Sequence, residues 1–515
     1  MGISTKSSRT FRWLARLVAL ALAGGTTCAL AASPSQPNVL LISIDDLNDW
    51  VGAWGGHPQA KTPHIDRLAR RAVRFTNAHC AAPLCNPSRA AFFSGLHPLQ
   101  TGITENDDSD IRRIYPGLVL LPQHFAAAGY ETYGAGKLLH LGSGSLFQHG
   151  YFPHLRWSPF SPADVLYTDA ELGLKGTPDQ RHIVRLAGRQ FAMPLNRIPS
   201  DRNVASAAGE SFDWGPLPVE DADMGDGKIA RWGAEILNRP REMPFFMAIG
   251  FYRPHIPLFA PEKYFEIYND VDIALPPHRE DDLDDLGPTA RRIAHEADTA
   301  GLHSSVVQHD GWHDAVRAYL ACTSFIDAQV GLLLEALEQG GHDSNTVVLL
   351  WSDHGWHLGE KEHWGKWTLW RRSTLSPLLI ALPSGERGRR DAAVASPVSL
   401  LDAYPTLIEL CNLPAKPELA GQSLAPLLRT ADANMEDRSV LTVMGADGAA
   451  LSGRRWRYIR YADGERELYD LRADPNEWHN LAGAAAHQTR VDRLDAELTR
   501  QLEEFSSRRV GDPLR

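Results

Sequence analysis

Asn38-Val-Leu-Leu-Ile-Ser-Ile44 is a continuous apolar, β-branched run that stops at a pair of acids, Asp45-Asp46. A strand with one wet face alternates apolar and polar side chains. A run like this one is buried on both faces, as in a mostly parallel sheet covered by helices. The segments that follow keep to that plan. Helical patterns or start signals mark Pro63 to Ala72, a stretch after Ser88, Leu121 to Ala128, Asp223 to Leu237 and Asp314 to Leu337, and strand runs fall at Thr132 to Ala135, Phe245 to Gly250 and Thr346 to Trp351. Strands alternating with helices predict an α/β fold with a large, mostly parallel sheet and helices on both faces. Beyond about residue 430 the pattern changes to short strands (Ser439 to Met444, Trp456 to Tyr461, Glu467 to Leu471) and an amphipathic helix from Val491 to Phe505. This predicts a smaller C-terminal α+β subdomain with an antiparallel sheet, dividing the chain into 1–32, 33–430 and 431–515.

Two stretches break the alternation. Residues 151–218 are rich in Pro, aromatics and polar groups without periodicity, and 276–310 carry the acidic run Glu280-Asp281-Asp282-Leu283-Asp284-Asp285. Long loops of this kind are lids, rims or insertions around a pocket, or a solvated excursion in the case of the acidic run.

Residues 1–32 read as a targeting segment. Lys6, Arg9, Arg12 and Arg16 precede the apolar stretch Leu17 to Ala23 and the small residues Ala29-Leu30-Ala31, the layout of a cleaved secretory signal. Arg16 and Gly24-Gly25 leave the apolar run short of the ~20 residues a membrane span needs. The expectation is export to the periplasm or medium, with no stable membrane insertion. Cleavage takes the formal charge of the 515-residue chain from −11 to −15 and removes Cys28. A net negative surface is a poor binder of nucleic acid, which calls for clustered Lys and Arg. The remaining cysteines, Cys80, Cys85, Cys322 and Cys411, are too few and scattered for a disulfide framework, and no Cys/His spacing suggests zinc.

Ligands in open α/β sheets bind at the carboxyl ends of strands. Asp45-Asp46 follows the first strand, and Asp353-His354 follows Thr346-Val-Val-Leu-Leu-Trp351 in the same way. Three carboxylates and an imidazole brought to one sheet edge repel one another unless a cation sits between them. Oxygen-rich ligation favours a hard divalent ion, Ca²⁺ or Mg²⁺.

The segment Cys85-Asn86-Pro87-Ser88-Arg89, leading into Ala90-Ala91-Phe92-Phe93-Ser94-Gly95, resembles the formylglycine signature of the type I sulfatases of the alkaline phosphatase superfamily. Gly136-Lys137-Leu138-Leu139-His140 is similar to the family's Gly-Lys-x-x-His loop, and Arg253-Pro254-His255-Ile256-Pro257 to its Arg-Pro-His-x-Pro loop. Ser352-Asp353-His354-Gly355, with Lys366 downstream, and Leu468-Tyr469-Asp470-Leu471 followed by Asp474-Pro475 and Asn480-Leu481 complete the likeness. His354 stands where many sulfatases have Asn, and Lys137 and His140 are three apart where many have two. Both features are similar to the iduronate-2-sulfatase branch.

The resemblance implies an alkaline-phosphatase-like fold and a hydrolase that removes sulfate from a sulfated sugar, with exo-removal of a uronate 2-O-sulfate foremost. Alternatives within the superfamily are another sulfate ester, choline sulfate included, and a phosphonate monoester or phosphodiester. Asp45, Asp46, Asp353 and His354, with Cys85, are implied as the metal site, holding Ca²⁺ or Mg²⁺. Cys85 would be oxidised to formylglycine by a dedicated formylglycine-generating enzyme. A sulfate ester's negative charge repels nucleophiles, so the site must neutralise it and hold the attacking oxygen in line. The aldehyde's hydrate would attack sulfur and expel the alcohol, and its second hydroxyl would let the adduct collapse to sulfate and aldehyde, where a Ser ester would need a second attack by water. Arg89 would steady the hydrate and the metal ligands, while Lys137 and Lys366 contact sulfate oxygens. His255, ahead of Lys366, is the expected acid for the leaving alcohol, and His140 the base for collapse. Arg253 counts with these cations as a pocket charge. His357, His363, Trp364 and Trp367 crowd the Lys366 loop, where packing outweighs sugar stacking as the explanation.

Overall fold

In the computed structural model, the strand Asn38–Ile44 lies inside an eight-stranded sheet, hydrogen-bonded in parallel to Phe245–Phe251 on one side and Thr346–Ser352 on the other. The structure describes residues 1–2, 36–106, 110–153, 156–160, 165–167, 182–202, 210–435 and 437–511. The targeting segment beyond its first two residues, Cys28 included, and part of the aperiodic stretch after 151 lie outside the described residues. Residues 37–515 form one compact unit. The sheet continues outward through Glu131–Gly136 and His149–Tyr151 on one edge, and through Leu378–Ala381, Val73–Phe75 and Ala392–Val394 on the other. Leu378–Ala381 runs antiparallel to both its neighbours, and every other pairing is parallel.

The apolar run is continuous because its two faces feed two different cores. Leu40, Ile42 and Ile44 pack with the helices Gly225–Leu237 and Trp312–Gln339, while Val39 and Leu41 pack with Cys85–Ser94 and Leu121–Ala127. Successive strand side chains point to opposite faces, so beyond Asn38 both faces are apolar apart from Ser43 near the strand's end, whose Oγ accepts from Arg89. The helix Trp312–Gln339 is long and apolar enough to cross a membrane, yet it is a core helix: 83% of its apolar window is buried in the protein.

Register sets the site. Ile44 pairs with Phe251 and with Ser352, so Asp45, Tyr252 and Asp353 leave the sheet side by side, and Gly136 pairs with Gly250, which brings Lys137 to the same edge. The crossing is tight, since a Cβ on Gly136 would meet the Gly250 carbonyl oxygen at 2.0 Å, and Gly136 has φ of 71°. Glycine alone fits there.

The C-terminal part is a four-stranded antiparallel meander, Val440–Met444, Gly448–Ser452, Trp456–Tyr461 and Arg466–Asp470, with the helix Gln488–Ser507 on one face through Val491, Leu494 and Leu498. Its other face, through Met444, Ile459 and Tyr469, covers Leu369 and Trp370. The strand Gly448–Ser452 goes unforeseen because Gly-Ala-Ala-Leu-Ser has no β-branched or aromatic residue. The described part of the aperiodic stretch holds three short antiparallel strands, Val165–Tyr167, His182–Leu186 and Arg189–Met193, and a fourth, Trp214–Leu217, paired in parallel with Leu258–Pro261, where a loop is expected from sequence. The helix expected after Ser88 begins at Cys85. The acidic run is only partly solvated: Asp282 is buried and pairs with Lys361 at 2.5 Å, while Asp281 remains exposed.

Candidate active site

Cys85 opens the helix Cys85–Ser94, where the positive end of the helix dipole favours an anion. Its Sγ lies 2.9 Å from Lys366 Nζ, 3.6 Å from Lys137 Nζ, 3.4 Å from His354 Nε2 and 3.7 Å from Asp45 Oδ1. Were Cys85 oxidised to formylglycine, this sulfur would mark the place of the aldehyde hydrate's oxygens. Burial and Asp45 push the thiol's pKa up, but Lys137 and Lys366 outweigh them and hold it below its usual value. One turn on, Arg89 has no exposed surface. It donates to Asp45 Oδ1 and Asp353 Oδ2, both at 2.9 Å, to Ser43 Oγ at 3.0 Å, and to the carbonyls of Lys137 and Leu138.

Asp46 turns back on the first strand with φ of 59°, so that both acids of the pair point into one centre. Lys137 donates to Asp45, and Lys366 to Asp46 at 2.6 Å. His354 Nδ1 donates to the Gly355 carbonyl at 2.9 Å, which aims Nε2 at Cys85, at Asp46 Oδ1 (3.5 Å) and at Asp353 Oδ2 (3.4 Å). That tautomer is the one a ligating histidine needs.

The residues fit a hard divalent ion. Asp46, Asp353 and His354 converge with Cys85, and Asp45 and Asp46 converge with Cys85 and His255. Asp46 Oδ2 is buried without a hydrogen-bond partner. Burial raises the Asp46 carboxyl to about 7 and Asp45 adds to the rise, even though Lys366 opposes them. Asp45 itself is held well below the usual carboxylate range: burial works to raise it, but Lys137 and Arg89 prevail. Arg89, Lys137 and Lys366 match the three carboxylates in charge, so the observation that favours a further cation is the idle, buried Asp46 Oδ2, which no hydrogen bond satisfies.

His255 Nδ1 faces its neighbour's carbonyl, Ile256 O, at 2.7 Å, leaving Nε2 toward Asp46 Oδ2 (3.8 Å) and Asp45 Oδ2 (4.0 Å). Burial and then the charge of Lys137 hold this ring well below the usual histidine pKa, so it presents a lone pair to the centre. Its loop is fixed by Asp226, which accepts from the backbone N–H of Tyr252 (2.7 Å) and Arg253 (3.1 Å). His140 is neutral as well, lowered to about 3 by burial and by Lys137, and its Nδ1 is buried with no partner.

Arg253 is a correction to the expected set of pocket charges. Its guanidinium is buried and donates only to carbonyls, those of Phe259, His255, Arg156 and Ser158, so it braces two loops and offers nothing to an anion. The aromatic and histidine residues around Lys366 are packing. His363 spans the Ala294 and Lys366 carbonyls, His357 bonds Thr368, and Trp364 stacks near Trp214. Beside the centre lies a cavity of about 490 Å³, lined by Gly136, Lys137, His140, Arg156, Tyr252 and His255 among others. Tyr319, which donates to the Asp46 carbonyl at 2.8 Å, and Ser43 and Arg156 carry no signal in the sequence. Tyr319 and Ser43 sit inside apolar runs, and Arg156 in a stretch without period.

Residues 37–413 match the Sulfatase family, and residues 359–506 match the family described as N-sulphoglucosamine sulphohydrolase, C-terminal. A sulfatase of Formosa agariphila is 35% identical, the match covering 90% of this chain and 86% of that protein. The choline-sulfatase of Rhizobium meliloti (28% identity, 87% and 82% coverage) and the iduronate 2-sulfatase of Mus musculus (27%, 78% and 75%) are also similar. Among solved structures, the phosphonate monoester hydrolase of Agrobacterium radiobacter superposes with a TM-score of 0.70 at 21% identity, covering 91% of this chain and 96% of that one, and shares the fold. With a family match over most of the chain and a third of its residues shared with a sulfatase along nine-tenths of its length, the chain belongs to the sulfatase family.

Proposed function

We propose that this sulfuric ester hydrolase is an exo-acting uronate 2-O-sulfatase, matured by oxidation of Cys85 to formylglycine and exported. The observation that carries the reading is the continuity of two compartments. Lys137 and His255 belong both to the cluster around Cys85 and to the wall of the 490 Å³ cavity, a volume within the range of small-ligand sites. A sulfated residue at the end of a saccharide fits such a pocket, with its sulfate toward Cys85. The two departures His354 and the Lys137/His140 spacing, shared with the iduronate-2-sulfatase branch, support the uronate. The basic residues Lys6, Arg9, Arg12 and Arg16 ahead of Leu17 to Ala23 support export.

A divalent cation held by Asp45, Asp46, Asp353 and His354, with Ca²⁺ preferred over Mg²⁺, supplies Lewis-acid charge to the sulfate and to the hydroxyls of residue 85. The chain's own groups do the rest. Lys137 and Lys366, with their ammonium groups on either carboxylate of the pair, hold sulfate oxygens. Arg89 fixes Asp45 and Asp353 so that the ligand oxygens do not move as charge develops. The leaving alcohol departs on the side of sulfur opposite residue 85 and takes its proton from Lys366 or His255. Burial works to lower the Lys366 pKa, but Asp46 and Cys85 raise it and keep the ammonium protonated, whereas burial and Lys137 keep the His255 ring neutral, with Nδ1 engaged by the Ile256 carbonyl. His140, neutral and with a free ring nitrogen, accepts the proton released when residue 85 returns to the aldehyde.

Side-by-side rates on a 2-O-sulfated uronate disaccharide, choline sulfate and a phosphodiester test the reading. The expected result is a strong preference for the uronate sulfate, and a preference for the phosphodiester or choline ester would overturn it.

A further inference from the structure

One cation on the cavity wall takes no part in handling sulfate. Arg156 lines the cavity with Lys137, His140, Tyr252 and His255, and its side chain reaches solvent. Burial and then the charge of Arg202 hold its pKa below the usual arginine value, with Cys85, Asp46 and Asp45 opposing them. Among the described residues no carboxylate lies within ion-pair distance of its guanidinium. Its neighbours are committed: Arg202 pairs with Glu210, and Arg253 is spent on carbonyls. Two of those Arg253 bonds, to Arg156 O at 3.0 Å and to Ser158 O at 3.4 Å, fix the main chain beneath Arg156 to the His255 loop, and Ser158 Oγ accepts from Gly225 N at 2.6 Å. The result is a guanidinium with no ion-pair partner among the described residues, lying over the Trp157 ring at 5.9 Å on a braced backbone and lining the substrate cavity.

We propose that Arg156 is a specificity-determining residue that binds the C5 carboxylate of the sulfated uronate. The assignment rests on the uronate reading and supplies the group that would enforce it. In a pyranose ring C2 and C5 are opposite atoms. A residue whose 2-O-sulfate is drawn to Lys137 and Lys366 therefore carries its carboxylate away from Cys85, toward the solvent side where Arg156 stands. The planar guanidinium matches a carboxylate with two parallel hydrogen bonds. A neutral hexose leaves Arg156 unpaired, and a quaternary ammonium such as that of choline is repelled, so the same residue discriminates against both.

The test compares kcat/KM for a 2-O-sulfated uronate disaccharide with that for its carboxyl-reduced alcohol, in wild type, Arg156→Ala and Arg156→Lys. Both rates come from the same preparation, so any loss of folded enzyme cancels in the ratio. Wild type is expected to favour the acid by about 10- to 100-fold, the range of a hydrogen bond to a charged group. The ratio falls toward one in Arg156→Ala and is partly kept in Arg156→Lys. An unchanged ratio in Arg156→Ala, or a wild-type ratio near one, overturns the assignment while leaving the uronate reading standing. Wild type that cleaves neither uronate but does cleave another sulfate ester overturns the uronate reading itself.

Discussion

Arg89 bonds two carboxylates, a serine and two carbonyls without exposing any surface, so its loss leaves Asp45 and Asp353 buried with less charge to face. Removing one partner of a buried ion pair costs about 3–5 kcal/mol. Arg89→Ala is expected to lower stability by that order in chemical denaturation, and Arg89→Lys to restore little, because one ammonium does not span five acceptors. At Cys85 itself, peptide mass spectrometry of enzyme from a host with the maturation machinery should show the loss of one sulfur and two hydrogens and the gain of one oxygen. An unmodified thiol in fully active enzyme would contradict the assignment. Most of these residues are legible in the sequence because the chemistry demands fixed types just past strand ends, as at Asp45-Asp46 and Asp353-His354. Tyr319, Ser43 and Arg156 are not, since one hydroxyl in an apolar run, or one arginine in an aperiodic loop, looks the same whether or not it faces a site.

At the scale of elements, the segment carrying Lys366 is clamped from the C-terminal sheet. Arg457 donates to Thr374 Oγ1 at 2.9 Å, Glu477 accepts from Arg371 N at 2.7 Å, and Glu467 accepts from Trp370 Nε1 at 2.9 Å and from Tyr461 and Tyr469. Burial raises the Glu467 carboxyl to about 7 despite those hydrogen bonds and Lys361. The folded protein thus keeps a proton on Glu467 that the unfolded chain releases above its ordinary value near 4.3. Stability from this group is greatest at low pH and is lost as pH rises toward and through 7. Glu467→Gln should flatten that part of the stability profile between pH 5 and 8, read as unfolding midpoints, and an identical slope in the variant would contradict it. The sequence announces the four adjacent central strands of the large sheet through their apolar runs, but not its outer strands His149–Tyr151, Leu378–Ala381, Val73–Phe75 and Ala392–Val394, which are short. It misses Gly448–Ser452, which is a strand only because Val440–Met444 and Trp456–Tyr461 pair with it on either side.

For the whole molecule, the formal charge of −11 says little about the site, where Arg89, Lys137 and Lys366 converge with three carboxylates. A fold held by two cores on either side of one sheet has no need of cross-links, and Cys80, Cys85, Cys322 and Cys411 are all buried and free. A cation held by Asp45, Asp46, Asp353 and His354 would join the ends of two central strands and add to the stability of the fold. Chelation should lower the thermal midpoint, and the midpoint gained on adding Ca²⁺ should be larger at pH 7.5 than at 5.5, because at the lower pH the ion must displace the proton that Asp46 holds up to about 7. An ion-independent midpoint would argue against the metal site. The central claim is that residue 85 delivers the attack on the sulfate of a terminal uronate. The most direct measurement is release of inorganic sulfate from a 2-O-sulfated uronate disaccharide by wild type and by Cys85→Ala, with the fold of the variant checked by its circular dichroism spectrum. The account predicts steady release by wild type and none by the folded variant, and comparable release by both, or by neither, would contradict it.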